Sequence, residues 1–560
     1  MNPIILDKII NIITENNPES LKTIEQLEEM FPVRLNEAGE KVTVTRFAPS
    51  PTGFMHIGSF YASIIAKKIA QQANGKFVLR IEDTDRKREV EGAVDIVVNG
   101  LEAFGVHIDE GITSEGTLGE YGPYKQSERA FIYNSCIKYL LEQDLAYPCF
   151  CTPEELEKQR EAQMALKQPL GYHTKWAKCS RLTDEETIEK LDAGIPFVIR
   201  FRSSGDTEKK FEVKDLIKGK LSFPQNDDHV VIFKRDGLPT YHFAHVVDDH
   251  FMRTTHATRG EEWVPSLATH IQLFAAMGWK TPKYGHFSPI LKMEDGKKRK
   301  ISKRKDPEAN IEFYMQNGYP KHAVIDYLMN LVNASFEDWR KANPTASIEE
   351  YKLDFATMKK SAGALLDFNK LDNISKNYIA TLSATEVFDA VKIWAEKHNE
   401  NLFALMNEKP EYITNIFGIE RTNTDKVRKD YAKWSDVEES IKFFFDEGFE
   451  NSLDAVAANA ENIDKQVIKN IIESYAASYN PELVKDDWFA DLKAQAAEFG
   501  FAANKKEQKA EPEKYIGNIA DFSKILRCAV TGQPQSPDLH QVMQVMGIEM
   551  VKARLAKAAK

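Results

Sequence analysis

The sequence predicts a multidomain protein in which an interrupted α/β domain comes first and a mainly α-helical region follows. Three observations lead to this prediction. The chain has 560 residues, which is well beyond the size of one hydrophobic core. A strand–helix–strand pattern occupies residues 41–83. Helical periodicity then dominates from about residue 310 to the end of the sequence.

Residues 1–40 predict a helical extension that precedes the α/β domain. The segment ends in turn-forming residues between Asn36 and Gly39. Its first thirty residues have neither a basic stretch followed by an apolar one nor an arginine-rich, acid-poor composition, so they predict no export or organelle signal. No apolar run of about 18 residues is present in the sequence. We therefore expect a cytoplasmic protein without a membrane span.

The first α/β unit is predicted between Lys41 and Asp83. KVTVTRFA at 41–48 is rich in β-branched residues and alternates apolar with polar side chains, which is typical of a strand. Apolar residues then recur at helical spacing from Ile57 to Ile69, and KFVLRIED at 76–83 is a second apolar strand. A strand, a helix and a strand within about forty residues are the opening unit of a parallel sheet.

The α/β pattern is interrupted between about residues 123 and 238, where helices alternate with polar β-like pieces such as FVIRFR and HVVIFKR. It returns with TYHFAHVVDDH at 240–250 and with a helix that Gly278 ends. Two polar segments in the later helical region, 338–350 and 502–514, are predicted loops.

The charge distribution is informative only locally. A formal net charge of −11 does not favour a nucleic-acid partner, but phosphate binding needs a local basic surface and not a basic protein. Such a surface is predicted at 292–305, where eight of fourteen residues are Lys or Arg. Taken alone, this run is equally compatible with a solvated charged loop.

The loop FAPSPTGFMHIGS at 47–59 runs from the first strand into a helix N-terminus. Free backbone N–H groups and the helix dipole favour an anion at that point. Gly53 and Gly58 let the backbone approach a ligand closely, and His56 adds an imidazole. A single histidine before a helix is more often a structural cap, so the prediction of an anion site depends on the whole string.

This string resembles the HIGH signature of the class I aminoacyl-tRNA synthetases, in the form used by the bacterial glutamyl enzymes. Ser59 stands where the class consensus has its second histidine, which that subfamily commonly lacks. KISKR at 300–304 resembles the second class signature, KMSKS. Three more strings are similar to segments of the glutamyl enzymes: RIEDTDRKREVEGA (80–93), PTYHFAHVVDDH (239–250) and TRGEEW (258–263).

The resemblance implies the site residues position by position. The residues that it implies around glutamate are Arg46, Ser50, Glu82, Tyr241 and Arg259. Those that it implies around ATP are His56, Gly58, Glu262, Lys300, Ile301 and Lys303, of which His56, Lys300 and Lys303 are the predicted catalytic residues. Guanidinium groups suit a substrate carboxylate because they are planar, bidentate and always charged. Lysines suit the charge that develops on the ATP phosphates in the transition state. His245, where related enzymes often carry Asn, is not among the predicted residues.

The implied architecture is a Rossmann-like catalytic domain with an inserted α+β acceptor-binding domain, followed by a mainly α-helical anticodon-binding region. LRCAVTGQPQSPDLHQVMQVMG at 526–547 is similar to the C-terminal helical segment of the glutamyl enzymes, which argues against a glutaminyl enzyme. The predicted boundaries are 1–40 for the extension, 41–122 and 239–297 for the two catalytic halves, 123–238 for the insertion, 298–375 for the stem-contact region with the KISKR loop, and 376–560 for the anticodon-binding region.

The implied reaction joins L-glutamate to tRNA(Glu) with ATP, and Mg²⁺ accompanies the ATP. The first step is expected to need bound tRNA, and we expect a monomer. Two alternatives stay open: a non-discriminating enzyme that also charges tRNA(Gln), and a catalytically silent tRNA-binding paralogue. A plain nucleotidyltransferase would have no use for the long helical tail.

Cys149, Cys151 and Cys179 resemble the zinc site that some members of the family hold in the insertion. Structural zinc takes four ligands, and Arg181 stands where the fourth is expected. Nothing in the spacing places His173 at that position. The sequence therefore does not favour zinc, no metal ligand is predicted, and the five cysteines are too irregular for a disulfide framework.

Overall fold

The protein is described by a computed structural model over residues 1–15, 17–85, 89–358, 364–421, 427–447, 449–460 and 462–560. Two compact units divide the chain. The first comprises Met1–Tyr314 and Ile325–Asp367, and the second comprises Met315–Val324 and Phe368–Lys560. Residues 86–88 of the predicted string 80–93 lie outside the described residues. None of the described helices combines the length and apolarity needed to cross a membrane.

The first unit combines several small sheets with helices. Its strands are β1 (Val44–Phe47), β2 (Lys76–Leu79), β3 (Glu110–Thr113), β4 (Gly116–Leu118), β5 (Ala146–Cys149), β6 (Val198–Phe201), β7 (Lys210–Asp215), β8 (Gly219–Pro224), β9 (Val231–Phe233), β10 (His256–Gly260), β11 (Lys283–Phe287), β12 (Ile290–Glu294), β13 (Lys297–Lys300) and β14 (Ala364–Leu365). The helices up to residue 342 are α1 (Pro3–Ile13), α2 (Ile24–Met30), α3 (Ile57–Gln72), α4 (Ala93–Ala103), α5 (Ala130–Glu142), α6 (Pro153–Ala165), α7 (Asp184–Asp192), α8 (Tyr241–Phe251), α9 (Leu267–Ala276), α10 (Ile311–Gln316), α11 (Lys321–Val332) and α12 (Phe336–Ala342).

The central sheet has the strand order β11-β10-β1-β2-β3-β4. All neighbours in it are parallel except the antiparallel pair β3–β4. From β1 the chain proceeds outward through β2 and β3, and it later returns to place β10 and β11 on the other side of β1. In an open parallel sheet, such a reversal leaves a crevice at the carboxyl ends of the two central strands, where ligands bind.

The predicted opening unit is confirmed by β1, α3 and β2. The helix α3 buries Ile57, Phe60, Ile64 and Ile65, which share one face because apolar residues recur at helical spacing. β1 pairs with β2 in a parallel register that sets Arg46 beside Val78. The chain therefore leaves β1 at Phe47, crosses the sheet edge as a loop and enters α3 through His56.

The segment between β4 and α8 forms the interruption that the sequence predicts. It contains an antiparallel three-stranded sheet of order β5-β6-β9 and a separate hairpin formed by β7 and β8. The N-terminal helices α1 and α2 bury Ile5, Ile9 and Leu27 in a core that also contains residues of α5 and α8. Residues 1–40 thus contain the helices α1 and α2, and their apolar side chains belong to the first unit.

The second unit is mainly helical. From residue 368 on it contains α13 (Phe368–Ile379), α14 (Ala384–His398), α15 (Glu400–Glu408), α16 (Pro410–Gly418), α17 (Val437–Ile441), α18 (Leu453–Ala457), α19 (Lys465–Ser478), α20 (Lys485–Glu498), β15 (Phe501–Ala502), α21 (Lys505–Ala510), β16 (Gly517–Asn518), α22 (Ile519–Thr531), α23 (Leu539–Met546) and α24 (Ile548–Ala558). An apolar core of its own runs through these helices, from Ile379 to Ala559. The predicted fold class, an α/β domain followed by a mainly helical region, is confirmed.

The two predicted loops are wrong in part. α12 (Phe336–Ala342) covers residues 338–342 of the predicted loop 338–350, and α21 covers residues 505–510 of the predicted loop 502–514. Both helices consist largely of polar residues, but α21 contains only good helix formers and is capped by Asn504, which accepts from the backbone N–H groups of Lys506 and Glu507. Polarity alone was therefore the wrong criterion for a loop.

Candidate active site

A cavity of about 1150 Å³ opens at the carboxyl ends of β1 and β10, where the strand order reverses. All of the residues that the sequence analysis predicted for the site line this one cavity: Arg46, Ser50, His56, Gly58, Glu82, Tyr241, Arg259, Glu262, Lys300, Ile301 and Lys303. They come from segments that lie far apart in the sequence. The structure therefore brings the predicted residues together, while the role of each remains a prediction.

His56 is the N-cap of α3. Its Nδ1 accepts a hydrogen bond of 2.9 Å from the backbone N–H of Gly58, and a Cβ atom on Gly58 would lie only 3.0 Å from that nitrogen. Burial, followed by the charges of Lys303 and Lys300, lowers the pKa of His56 to about 4. The imidazole is therefore neutral at physiological pH, and it both caps the helix and lines the cavity.

The KISKR segment follows the β12–β13 hairpin. Lys300 Nζ lies 2.9 Å from Glu262 Oε1, in an exposed ion pair. Lys303 Nζ lies 3.3 Å from Thr52 Oγ1 and 3.4 Å from the Phe54 carbonyl oxygen, so it reaches across the cavity to the loop that precedes α3. Two ammonium groups and a helix N-terminus therefore face the same space, which is suited to a polyphosphate.

The buried Asp306 holds this segment in place. It accepts hydrogen bonds of 2.6 and 2.7 Å from Arg299 and one of 2.8 Å from the backbone N–H of Ser302. The hydrogen bond from Arg299 is the main cause that lowers the pKa of Asp306 well below its usual range. The Asp306 carboxylate thus connects the end of the loop to Arg299 and Ser302 at its start.

Arg46 belongs to a buried network of balanced charge. Its Nε lies 3.2 Å from Asp249 Oδ2, and its Nη1 donates to the carbonyl oxygen of Thr258 at 3.1 Å. Beneath it, Arg80 donates to Asp249 at 2.7 Å and to Glu82 at 3.0 Å. Burial raises the pKa of Glu82 despite the opposing charge of Arg80. Carboxylates therefore partner the guanidinium groups on this wall of the cavity.

Arg259 is held differently, by neutral groups. Its Nε donates to His286 Nε2 at 3.0 Å, and its Nη1 lies 3.2 Å from His270 Nδ1 and 3.3 Å from Tyr241 Oη. Among the described residues, no Asp or Glu oxygen lies within 4.0 Å of this guanidinium. Arg259 is 6% exposed, so a buried positive charge faces the cavity without a partner anion in the part of the chain that the structure describes.

The sequence analysis missed several residues around the cavity. Trp263, Lys234 and Asp236 line it, and Trp263 packs against Tyr241 with a ring distance of 4.3 Å. Trp263 ends the TRGEEW string and could have been predicted from it. The partners of Arg46 and Arg259 were not predictable in this way, because they depend on which elements pack against each other.

The three predicted cysteines form a separate cluster in the insertion. Their sulfur atoms lie within 4.8 Å of one another, and Tyr172 Oη lies 3.1 Å from Cys151 Sγ. Hydrogen bonds from Cys151 and Cys179 lower the pKa of the Cys149 thiol. A tetrahedral zinc site places sulfurs about 3.8 Å apart, so the three thiols could supply three of its four ligands. His173 instead approaches Asp227 and the carbonyl oxygen of Pro169.

The fold is that of a class I tRNA synthetase. The family model described as "tRNA synthetases class I (E and Q), catalytic domain" matches residues 41–372, and the model "Anticodon binding domain" matches residues 386–559. The chain belongs to the glutamate–tRNA ligases within this class, because the relatives that define the narrower family match it over nearly the full length.

Among these relatives is a glutamate–tRNA ligase of Clostridium perfringens (strain SM101 / Type A), which is 46% identical over 96% of this chain and 97% of its own length. The glutamate–tRNA ligase of Clostridium beijerinckii is 44% identical over 98% of this chain and 99% of its own. A crystal structure of a glutamate tRNA ligase from Elizabethkingia meningosepticum in complex with its amino acid is 28% identical. It covers 93% of this chain and 99% of its own, with a TM-score of 0.73.

Proposed function

We propose that the protein activates L-glutamate with ATP and transfers it to the 3′ end of tRNA(Glu). The observation that carries this proposal is that Arg259 has no acidic partner among the described residues. A buried cation without a partner anion is costly, so a carboxylate that enters the cavity is stabilised there more than the neutral amide of glutamine. Arg46 already has a carboxylate partner, so Arg259 attracts a substrate anion more strongly than Arg46 does.

In the first step, a glutamate carboxylate oxygen attacks the α-phosphorus of ATP, which forms glutamyl-adenylate and releases pyrophosphate. Lys300 and Lys303 stabilise the charge that develops on the phosphates. Lys300 must leave Glu262 to do so, which costs little because exposed ion pairs contribute only about 0–1 kcal/mol. His56 and Gly58 present the N-terminus of α3 to the nucleotide.

Around the amino acid, Arg46, Tyr241 and Arg259 hold carboxylate oxygens, Ser50 contacts the substrate backbone and Glu82 receives the ammonium group. In the second step, the terminal ribose hydroxyl of tRNA attacks the activated carbonyl carbon, and AMP leaves. The enzyme forms no covalent intermediate, so its work is positioning and charge stabilisation.

Aminoacylation of separate tRNA(Glu) and tRNA(Gln) transcripts with radiolabelled glutamate or glutamine tests this function. We expect glutamate on tRNA(Glu) and no glutamine on either transcript. Glutamate on both transcripts would make the enzyme non-discriminating. No transfer of either amino acid, with tRNA binding intact, would replace the proposal by a catalytically silent tRNA-binding protein.

Two ions accompany the proposed function. Mg²⁺ enters with ATP, as is usual for enzymes that use nucleoside triphosphates. The convergence of Cys149, Cys151, Cys179 and Tyr172 favours a structural Zn²⁺ more than the sequence spacing did. Elemental analysis of the purified protein tests this, with an expected content of about one zinc per chain and a loss in a Cys179→Ser variant. We further propose that the enzyme acts as a monomer in the cytoplasm.

A further inference from the structure

The side chain of Arg259 is connected to a carboxylate that lies outside the cavity. Arg259 Nε donates to His286 Nε2 at 3.0 Å, and His286 Nδ1 lies 2.6 Å from Asp215 Oδ2. Arg259 and His286 are paired in the register of β10 and β11, and Asp215 is the last residue of β7. Asp215 and His286 are 2% and 0% exposed, and neither lines the cavity.

We propose that Asp215 and His286 are positioning residues for the amino-acid substrate, and that they fix the orientation in which the Arg259 guanidinium receives a substrate carboxylate. The inference rests on the proposed function, because it assigns these residues to the binding of glutamate. It extends the site beyond the cavity wall to the β7–β8 hairpin.

The direction of the hydrogen bonds supports this role. His286 can accept from Arg259 only in the tautomer that carries its proton on Nδ1, and Asp215 selects this tautomer by accepting from Nδ1. Asp215 is itself fixed, because its Oδ1 accepts from the backbone N–H groups of Ile217 at 2.9 Å and Lys218 at 2.8 Å. The end of the hairpin therefore determines where the guanidinium points.

The imidazole also explains how orientation is achieved without loss of charge. A carboxylate in direct contact with Arg259 would neutralise the guanidinium and compete with the substrate. With His286 between them, the anion Asp215 is separated from the guanidinium by a neutral ring. Burial is the main cause that lowers the pKa of His286, so the ring stays neutral beside Arg259.

The other contacts of Arg259 agree with this arrangement. His270 and Tyr241 lie at its Nη1, and Nη2 donates to the carbonyl oxygen of Trp263 at 3.4 Å. All of these groups are neutral. The shortest hydrogen bond of the set is the one to His286, and it is the one that leads to a carboxylate.

An Asp215→Asn variant tests the proposal. The amide keeps the shape of the side chain, but it no longer fixes the His286 tautomer. In aminoacylation of tRNA(Glu) by the full-length chain, we expect the KM for glutamate to rise about tenfold, as for the loss of one well-placed hydrogen bond. The KM for ATP should stay within about twofold of the wild type, because Asp215 does not contact the phosphate-binding residues.

Glu28→Gln is the matched control. Glu28 also forms a carboxylate–imidazole pair, with His250 at 2.6 Å, but that pair does not contact Arg259. The control should leave the KM for glutamate unchanged. Thermal melting of both variants separates a general loss of stability from an effect on the substrate.

Two replacements of His286 give an independent measurement if Asp215→Asn does not fold. His286→Gln keeps a hydrogen-bond acceptor for Arg259, so its KM for glutamate should stay below that of His286→Leu by about tenfold. Equal values for these two, or an unchanged KM in a folded Asp215→Asn, would overturn the positioning role while the proposed function stands. A wild-type protein that charges no tRNA with glutamate would overturn both.

Discussion

A single side chain in this cavity can stabilise a helix and also line the cavity. His56 is the clearest case, because the same imidazole caps α3 and lines the cavity. A histidine before a helix can therefore be both a helix cap and a site residue. Its pKa of about 4 means that it acts as a neutral hydrogen-bonding group and not as a cation.

Lys303 is the side chain for which we predict the largest loss of rate. Lys303→Ala should slow adenylate formation about a hundredfold, because it removes a positive charge that acts on the phosphates in the transition state. Affinity for tRNA should remain nearly intact. The measurement is the first-step rate, followed as exchange of pyrophosphate into ATP with tRNA present, with Lys298→Ala as a control on the exposed hairpin. Turnover equal to wild type would remove Lys303 from the mechanism.

Arg259 should act on one substrate only. Arg259→Gln removes the charge but keeps a hydrogen-bond donor, and we expect kcat/KM for glutamate to fall by about 10- to 100-fold. The KM for ATP should change little. Steady-state aminoacylation with each substrate varied in turn measures both values. An equal loss for glutamate and ATP would argue against direct recognition of the carboxylate.

At the scale of single residues, the sequence predicted the site residues that stand in short recognisable strings. It missed the residues whose role depends on how the elements pack. His56, Lys300 and Arg259 could be predicted because each stands in a local pattern. Asp215 and His286 could not, since each is an ordinary residue of a strand whose importance depends on the strand beside it.

Among the elements, the β12–β13 hairpin and the loop after it are held by contacts that the sequence did not indicate. The sequence showed a basic run, which is equally typical of a solvated loop. Its order comes from Asp306, which binds Arg299 and Ser302 from within the fold. Similarly, α12 and α21 were predicted as loops because polar helices lack the apolar periodicity on which the prediction depended.

Asp306→Asn should loosen this loop and thereby misplace Lys303. The loss of a buried charged hydrogen bond costs on the order of 1.5–3 kcal/mol. Part of this free energy holds the loop in the position in which Lys303 reaches the cavity, so we expect adenylate formation to slow about tenfold. Glu294→Gln is the control, because Glu294 binds the same Arg299 from an exposed position. The pyrophosphate exchange rates of the two variants are compared with that of the wild type. Equal rates in the two variants would show that Asp306 does not position the loop.

At the scale of the whole molecule, buried neutral histidines should make the stability depend on pH. Burial is the main cause that lowers the pKa of His250 and His256 to about 4, as it is for His56. The unfolded chain, in which histidines titrate near 6.5, then binds more protons than the folded chain below that pH. The stability that these neutral rings contribute is complete above pH 6.5 and is lost as the pH falls toward 4.

We therefore expect the free energy of unfolding to be lower at pH 5.5 than at pH 7.5, by on the order of 1 kcal/mol for each such histidine. Urea denaturation at the two pH values measures it. A His256→Asn variant should show a smaller difference than the wild type. A stability that is equal or higher at pH 5.5 would contradict the assignment of these rings as neutral.

The strand order of the central sheet has a consequence for synthesis of the chain. β1 pairs with β10, and the hydrogen bond between Val44 and Thr255 joins residues that are 211 positions apart. At about 5–20 residues per second, the ribosome needs on the order of 10–40 s to supply the second strand after the first. During that time one edge of β1 has no partner, and Arg46 has not yet met Asp249. Folding of the insertion while it is being made would shorten the distance that the chain must close before β1 and β10 pair.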